Sequence, residues 1–250
     1  MLLAMRAVEA VLCDLDGVLT PTADAHRRAW ARLFAEVFSG DRAGVAPYTD
    51  DDYANLVDGR PRCDGVRAVL AARGLRLPEG SPDDDGLASV HGLGNRKNAF
   101  FRQELARGLA PYPGSARFLD ALAAARVPVA VVSSSRNAAA VLRAAGLAGR
   151  FAVVVDGQAG AELGLAGKPA PDTFVEAASR LGVPPARAMV AEDAISGVAA
   201  GRAGGFGLVV GVDRSAGTDP RRKSPRRAAL LAAGADVVVT ELDELIEELA

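Results

Sequence analysis

The chain has 250 residues, of which 50% are hydrophobic and 24% charged, with a formal net charge of -2. This is the composition of a soluble globular protein, and a chain of this length buries roughly 70–75% of its extended surface without disulfides or structural metals. The balanced charge and the 5% aromatic content argue against a nucleic-acid binder, an anionic-membrane binder or a base-stacking platform.

In chain order, Met1 to Cys13 is apolar but interrupted by Arg6 and Glu9, so it reads as a buried strand and not as a secretion signal. The strand proper is Ala10–Cys13. Similar runs recur at Val127–Val132, Ala152–Val155, Ala188–Val190, Leu208–Val210 and Asp236–Val239. They are hydrophobic throughout, as parallel strands covered on both faces should be. Alanine-rich helical patterns lie between and after them, at Ser115–Ala125, Asn137–Ala145, Pro171–Leu181, Ala194–Ala203 and Glu241–Leu249. Such repetition predicts an α/β fold with a doubly wound parallel-sheet (Rossmann-like) core.

One segment breaks the rhythm. From Thr22 to about Gly108 only helical patterns occur, at Ala25–Phe38, Val66–Arg73 and Arg96–Arg107, separated by turn signals such as Leu77-Pro78-Glu79-Gly80. An inserted helical domain is expected over residues 21–108, with the core formed by 1–20 and 109–250. Cys13 and Cys63 stand in no metal-ligand spacing and read as reduced thiols of a cytoplasmic protein. No run of 18 apolar residues occurs, so no membrane span is expected.

The first strand ends in Asp14-Leu15-Asp16-Gly17, which projects two carboxylates the same way from an extended segment. Alone, this is also an ordinary turn after a strand. Three later segments raise its meaning. Ser133-Ser134-Ser135-Arg136-Asn137 puts hydroxyls and amides at a helix start, an anion-binding arrangement or a plain cap. Lys168 sits in a proline-rich loop before a helix, and Glu192-Asp193 is a second acid pair at a strand end. Together they suit phosphoryl transfer. A carboxylate approaching a phosphate meets repulsion of about 4 kcal/mol per charge pair at 4 Å and an effective dielectric of 20. Magnesium, Mg2+, held by Asp14, the Asp16 carbonyl and the Glu192-Asp193 pair would offset it, with Lys168 adding a second positive charge. Asp16 is placed to carry the proton.

The ordered set Asp-x-Asp-Gly, strand-end serine, Lys-Pro and Glu-Asp resembles the haloacid dehalogenase superfamily, in its phosphotransferase branch. The resemblance implies that Asp14 becomes an aspartyl phosphate, that Asp16 is the general acid/base and that the helical insert is a mobile cap. Within the superfamily, Ala23 to Trp30 is similar to the first cap helix of the β-phosphoglucomutase-like family, implying roles for His26 beside the acid/base and for Trp30 on the same helix face. Gly59-Arg60-Pro61-Arg62 is similar to the cap loop that grips the distal phosphate, with Arg62 at the matching position. Lys97 matches a second cap contact, and Ser133, Ser134, Arg136 and Asn137 match the phosphate- and sugar-contacting loop. Ala194 departs from the serine or threonine common after Glu-Asp.

The expectation is therefore a monomeric phosphoryl-transfer enzyme acting on a small-molecule sugar phosphate, interconverting β-glucose 1-phosphate and glucose 6-phosphate. A phosphatase is the first alternative, in which water attacks the aspartyl phosphate. A non-enzymatic sugar-phosphate sensor is the second, opposed by the intact acid and lysine set. The basic run Arg221 to Arg227 reads as a solvated loop in preference to a nucleic-acid patch.

Overall fold

The computed structural model describes residues 8–39, 44–57, 62–216 and 224–248. Residues 1–7 of the expected N-terminal strand, Gly59-Arg60-Pro61 and Arg221 to Lys223 lie outside them. Strand β1 (Ala10–Cys13) is fully buried, after which the chain enters helices α1 (Thr22–Val37), α2 (Arg62–Ala71) and α3 (Val90–Ala106). It continues through α4 (Pro113–Ala124), β2 (Val129–Val132), α5 (Ala138–Ala144), β3 (Val153–Val155) and α6 (Gly157–Glu162). Then follow α7 (Asp172–Leu181), β4 (Ala188–Glu192), α8 (Ile195–Ala203), β5 (Leu208–Val212), α9 (Pro225–Ala232) and β6 (Val237–Val239). The chain divides into two compact units, Met1–Pro21 with Leu109–Ala250, and Thr22–Gly108.

The first unit is built on one six-stranded sheet in the order β3-β2-β1-β4-β5-β6, with every pair parallel. The order reverses between β1 and β4, and ligands of open α/β sheets bind beyond the carboxyl ends of strands at such a switch point. Cys13 pairs with Ala191, so the residues that follow them, Asp14 and Glu192, leave the sheet side by side. The strands are hydrophobic on both faces because helices cover both. Leu12, Val132, Val190 and Val209 pack in one cluster with Phe174 and Ala177 of α7 and Val198 of α8. Each large apolar side chain buried this way contributes about 1.5–3 kcal/mol.

The second unit is helical. α1 buries Ala25, Ala29, Trp30, Leu33, Phe34 and Val37, a stripe at three- and four-residue spacing, and packs against α3. α3 starts at Val90, six residues before the expected Arg96. Two glycines make that first stretch a poor helix former, but Ser89 caps it by accepting the Gly92 N–H, and Val90 and Leu93 are buried. α2 begins at Arg62 instead of Val66 and ends at Ala71, short of Arg73.

Two other expectations are corrected, and one helix was not expected. The C-terminal segment is a 3-10 helix over Leu242–Glu248, not an α-helix; Leu242 and Leu245, three residues apart, are both fully buried, which suits a three-residue repeat. α6 was not foreseen, because its signal is a single cap, Asp156 accepting the Gln158 and Ala159 N–H groups. Arg226 and Arg227, read as part of a solvated loop, belong to α9, where Ser224 accepts the Arg227 N–H and Pro225 opens the first turn. Among the described residues no helix is long and apolar enough to cross a membrane.

Candidate active site

Asp14, directly after β1, is 7% exposed. Lys168, from the loop before α7, donates to Asp14 Oδ1 at 2.6 Å, to Glu192 Oε1 at 2.5 Å and to the Val132 carbonyl at 3.1 Å. Those three bonds use all three hydrogens of the ammonium. The Phe174 ring lies 4.9 Å from the same nitrogen. Glu192 is held at its other oxygen, which accepts the Ala194 N–H at 2.8 Å. In place of the missing hydroxyl at position 194, Glu192 thus caps the turn leading into α8. Ser133, after β2, donates to Asp16 Oδ2 at 3.3 Å. The carboxylates of Asp14, Glu192 and Asp193 each offer an oxygen within 4.8 Å of the others.

Two glycines make this crowding possible. Gly17 has φ +88°, and a Cβ there would overlap the Asp193 carboxylate; at Gly197 a Cβ would overlap the carboxylate of Glu192. The turn that follows Asp16 is closed by the Gly17 N–H to Thr20 carbonyl bond at 2.9 Å.

The electrostatics follow from burial. Asp14 is pushed well above the usual carboxylate range by burial; Lys168 opposes the shift, while Glu192, Asp16 and Asp193 add to it. Asp193 is pushed up to about 7, first by burial and then by Glu192, against the pull of Arg226 and Lys168. Burial works against the Lys168 charge, but the carboxylates of Asp14 and Glu192 outweigh it and hold the lysine ionised. Three hard oxygen donors with more negative charge than their cations neutralise suit a small divalent cation, which would restore the ionised carboxylates.

A sequence profile described as haloacid dehalogenase-like hydrolase matches residues 8–205. The chain belongs to the haloacid dehalogenase-like hydrolase family. Its relatives include the beta-phosphoglucomutase of Mycobacterium bovis and Mycobacterium tuberculosis, 48% identical over 246 residues and covering 96% of this chain and 92% of theirs. A crystal structure of beta-phosphoglucomutase from Clostridium difficile shares the fold, with a TM-score of 0.71 at 23% identity, covering 95% of this chain and 93% of that one. A CbbY variant from Rhodobacter sphaeroides in complex with xylulose-1,5-bisphosphate has a TM-score of 0.69 at 25% identity, covering 95% of this chain and 96% of that one.

Within this family member, the site residues expected from sequence fall into separate groups. Asp14, Asp16, Ser133, Lys168, Glu192 and Asp193 converge in the sheet unit. Ser134 and Arg136 are exposed, and Asn137 is the residue before α5. In the helical unit, His26 Nδ1 lies 2.6 Å from Lys97 Nζ, and its ring stacks on Phe101 at 4.0 Å. An ammonium can only donate, so Nδ1 accepts and the imidazole proton sits on Nε2. Burial, and then the charge of Lys97, hold His26 well below its ordinary pKa, so the ring is neutral. Trp30 is buried with Lys97 Nζ 5.2 Å from its ring centroid. Arg62 donates to Asn95 Oδ1 at 3.0 Å, and its Nε is buried without a hydrogen-bond partner among the described residues.

Three residues escaped the sequence reading. Asp213 ends β5 as Asp14 ends β1; it is 2% exposed and accepts from Ser215 and Ser224. The acid after an apolar run was a visible signal. Arg214 donates to the carbonyls of Gly17 and Val18 and to Glu241, and lies 3.6 Å over the Tyr112 ring, fastening the turn beyond Asp16. Arg226 donates to Asp193 across 33 residues of sequence, and nothing local announces that contact.

Proposed function

We propose that this chain is a magnesium-dependent phosphoryl-transfer enzyme that interconverts β-glucose 1-phosphate and glucose 6-phosphate, working as a cytoplasmic monomer. The observation that carries the reading is Lys168 clamped between Asp14 and Glu192 at the sheet's switch point, with Asp193 and Asp16 beside them. The 48% identity to mycobacterial beta-phosphoglucomutase supports the substrate class. Asp14 and Asp193, with the Asp16 carbonyl and Glu192 adjoining, would hold Mg2+. When bound, the ion supplies positive charge against the repulsion between a carboxylate and a phosphate.

The oxygen of Asp14 not held by Lys168 attacks phosphorus, and the bond from phosphorus to the departing oxygen breaks, leaving an aspartyl phosphate. Lys168 holds its charge against the phosphoryl oxygens. Asp16 gives its proton to the departing oxygen and later takes one from the sugar hydroxyl that attacks the aspartyl phosphate in the second half. Ser133 orients the Asp16 carboxyl. When the attacking hydroxyl belongs to a sugar monophosphate, the product is a bisphosphate that reorients to present its other phosphate to Asp14, and Arg62 grips the phosphate away from Asp14. His26, neutral with its proton on Nε2, would assist the proton transfers of Asp16, and Trp30 and Lys97 would contribute substrate contacts from the helical unit. Ser134, Arg136 and Asn137 contact the sugar phosphate.

Phosphorus NMR tests this directly. Purified protein with β-glucose 1-phosphate, Mg2+ and a trace of glucose 1,6-bisphosphate should convert the first signal into that of glucose 6-phosphate. Growth of inorganic phosphate alone would make the enzyme a phosphatase, with water as the second acceptor.

A further inference from the structure

Asp193 has a partner from outside the motif segments, Arg226. Its carboxylate rests against Gly17, where no side chain could fit. On its other side, a single nitrogen of Arg226, Nη2, donates both to the Asp193 carbonyl at 2.8 Å and to Oδ2 at 3.0 Å. Bonding the main chain and the side chain of one residue from one nitrogen restrains the rotation of that side chain. Oδ2 is thereby occupied, and Oδ1 is left for a cation.

Arg226 is itself held in register. It is the second residue of α9, a helix whose start is fastened by Ser224: the Ser224 hydroxyl donates to Asp213 Oδ2 and accepts the Arg227 N–H at 2.9 Å. Asp213 is buried at the end of β5, where its N–H donates to the Val239 carbonyl at 2.8 Å. Arg227 closes the other side by donating to the Val238 carbonyl at 2.7 Å. A continuous set of bonds thus runs from the ends of β5 and β6 through the first turn of α9 to Asp193.

We infer that Arg226 is the positioning residue of the metal centre, holding Asp193 in the orientation in which it binds a divalent cation. The inference rests on the proposed metal-dependent reading of the site. Two effects compete at this position. Arg226 brings a positive charge near an incoming cation, which weakens binding; it also fixes the carboxylate, which strengthens it. The guanidinium is 47% exposed, so surrounding water weakens its repulsion of an incoming cation, whereas the two bonds that orient Asp193 act at contact. Orientation therefore dominates. Partners that orient metal ligands commonly contribute 10–100-fold to affinity.

The test is calorimetric titration of the full-length protein with Mg2+ alone, alongside melting curves with and without the ion. Arg226→Ala should weaken Mg2+ binding by about 10–100-fold while the metal-free melting temperature changes little. Arg226→Lys, which keeps one donor nitrogen, should recover most of the affinity. Should the alanine variant fail to fold, Arg226→Gln carries the same comparison, with weaker binding expected than in the lysine variant. Unchanged or tighter Mg2+ binding in Arg226→Ala would overturn the role of Arg226. A wild-type protein that binds no Mg2+ would instead overturn the metal reading itself, so the two failures are separable.

Discussion

Lys168 and Lys97 are both buried cations, and the two units treat them in opposite ways. Lys168 sits between two carboxylates at 2.6 and 2.5 Å. Lys97 sits among rings, with its nitrogen 2.6 Å from His26 Nδ1, 5.2 Å from the Trp30 centroid and 5.0 Å from that of Phe101. Sheet topology explains the first. Parallel strands flanking a switch point deliver their carboxyl ends side by side, so acids from distant segments meet one lysine. Helix packing explains the second, because α1 and α3 face each other with side chains three and four residues apart, and those positions carry aromatic residues. The sheet unit therefore concentrates charge, whereas the helical unit surrounds a charge with polarisable surface and keeps its histidine neutral.

The largest expected effect breaks the charged side of this comparison. Asp14→Asn should lower turnover by ~10⁴-fold or more, the scale of losing a covalent nucleophile. Trapping of radiolabelled phosphoenzyme from wild type but not from the variant is the matching check, and turnover within about tenfold of wild type, ~1.4 kcal/mol, would remove Asp14 from that role.

Lys168→Met leaves two buried carboxylates without their cation, and breaking a buried pair in this way costs about 3–5 kcal/mol. Urea denaturation of metal-free protein should show that loss, and added Mg2+ should restore part of it. A variant as stable as wild type would mean that the acids in the site do not depend on the lysine.

Arg62→Ala probes the helical side. Losing a charge-assisted phosphate contact should reduce interconversion by roughly 10–150-fold, or 1.5–3 kcal/mol, while hydrolysis of a monophosphate changes little. Equal loss of both activities would assign Arg62 a structural task within the helical unit, where it is tied to Asn95.

The smallest effect sharpens the comparison at His26. Its folded pKa lies well below the ordinary 6.5, through burial first and Lys97 second. Between those two values the unfolded chain binds the proton and the native one does not, so stability present above about pH 6.5 is lost as pH falls through that window. Because the raised Asp14 and Asp193 carboxyls act in the opposite direction over the same range, the His26 share is read as the difference in urea midpoint between wild type and His26→Gln, which should shrink from about pH 7.5 to about pH 5.5. In Lys97→Met the His26 pKa should rise only part of the way, since burial remains, and the acid loss should shrink accordingly. An unchanged histidine titration by NMR would exclude the Lys97 charge as a cause.

Much of the sheet unit was legible because its signals are local. A hydrophobic run such as Leu208–Val210 announces a strand covered on both faces, and an acid soon after such a run announces a residue near a carboxyl end. Asp14 and Asp193 were found this way, and Asp213 could have been. The start of α3 was hidden because glycines at 92 and 94 lower helix propensity; at 94 a Cβ would come within 3.1 Å of Arg62 Nε. The contact of Arg226 with Asp193 was hidden because a run of basic residues looks solvated wherever it occurs.

The sequence by itself determined the alternation of strands and helices, the helical interruption after β1 and the identities of the acids, serine and lysine of the site. Each depends on residue type and short-range spacing, which a linear reading contains. Only the tertiary structure decided that Lys168 bridges Asp14 and Glu192, that Lys97 meets the imidazole of His26, and that Arg226 reaches Asp193. Those contacts span 154, 24, 71 and 33 residues, and they exist because sheet order and helix packing close distances that no local pattern encodes.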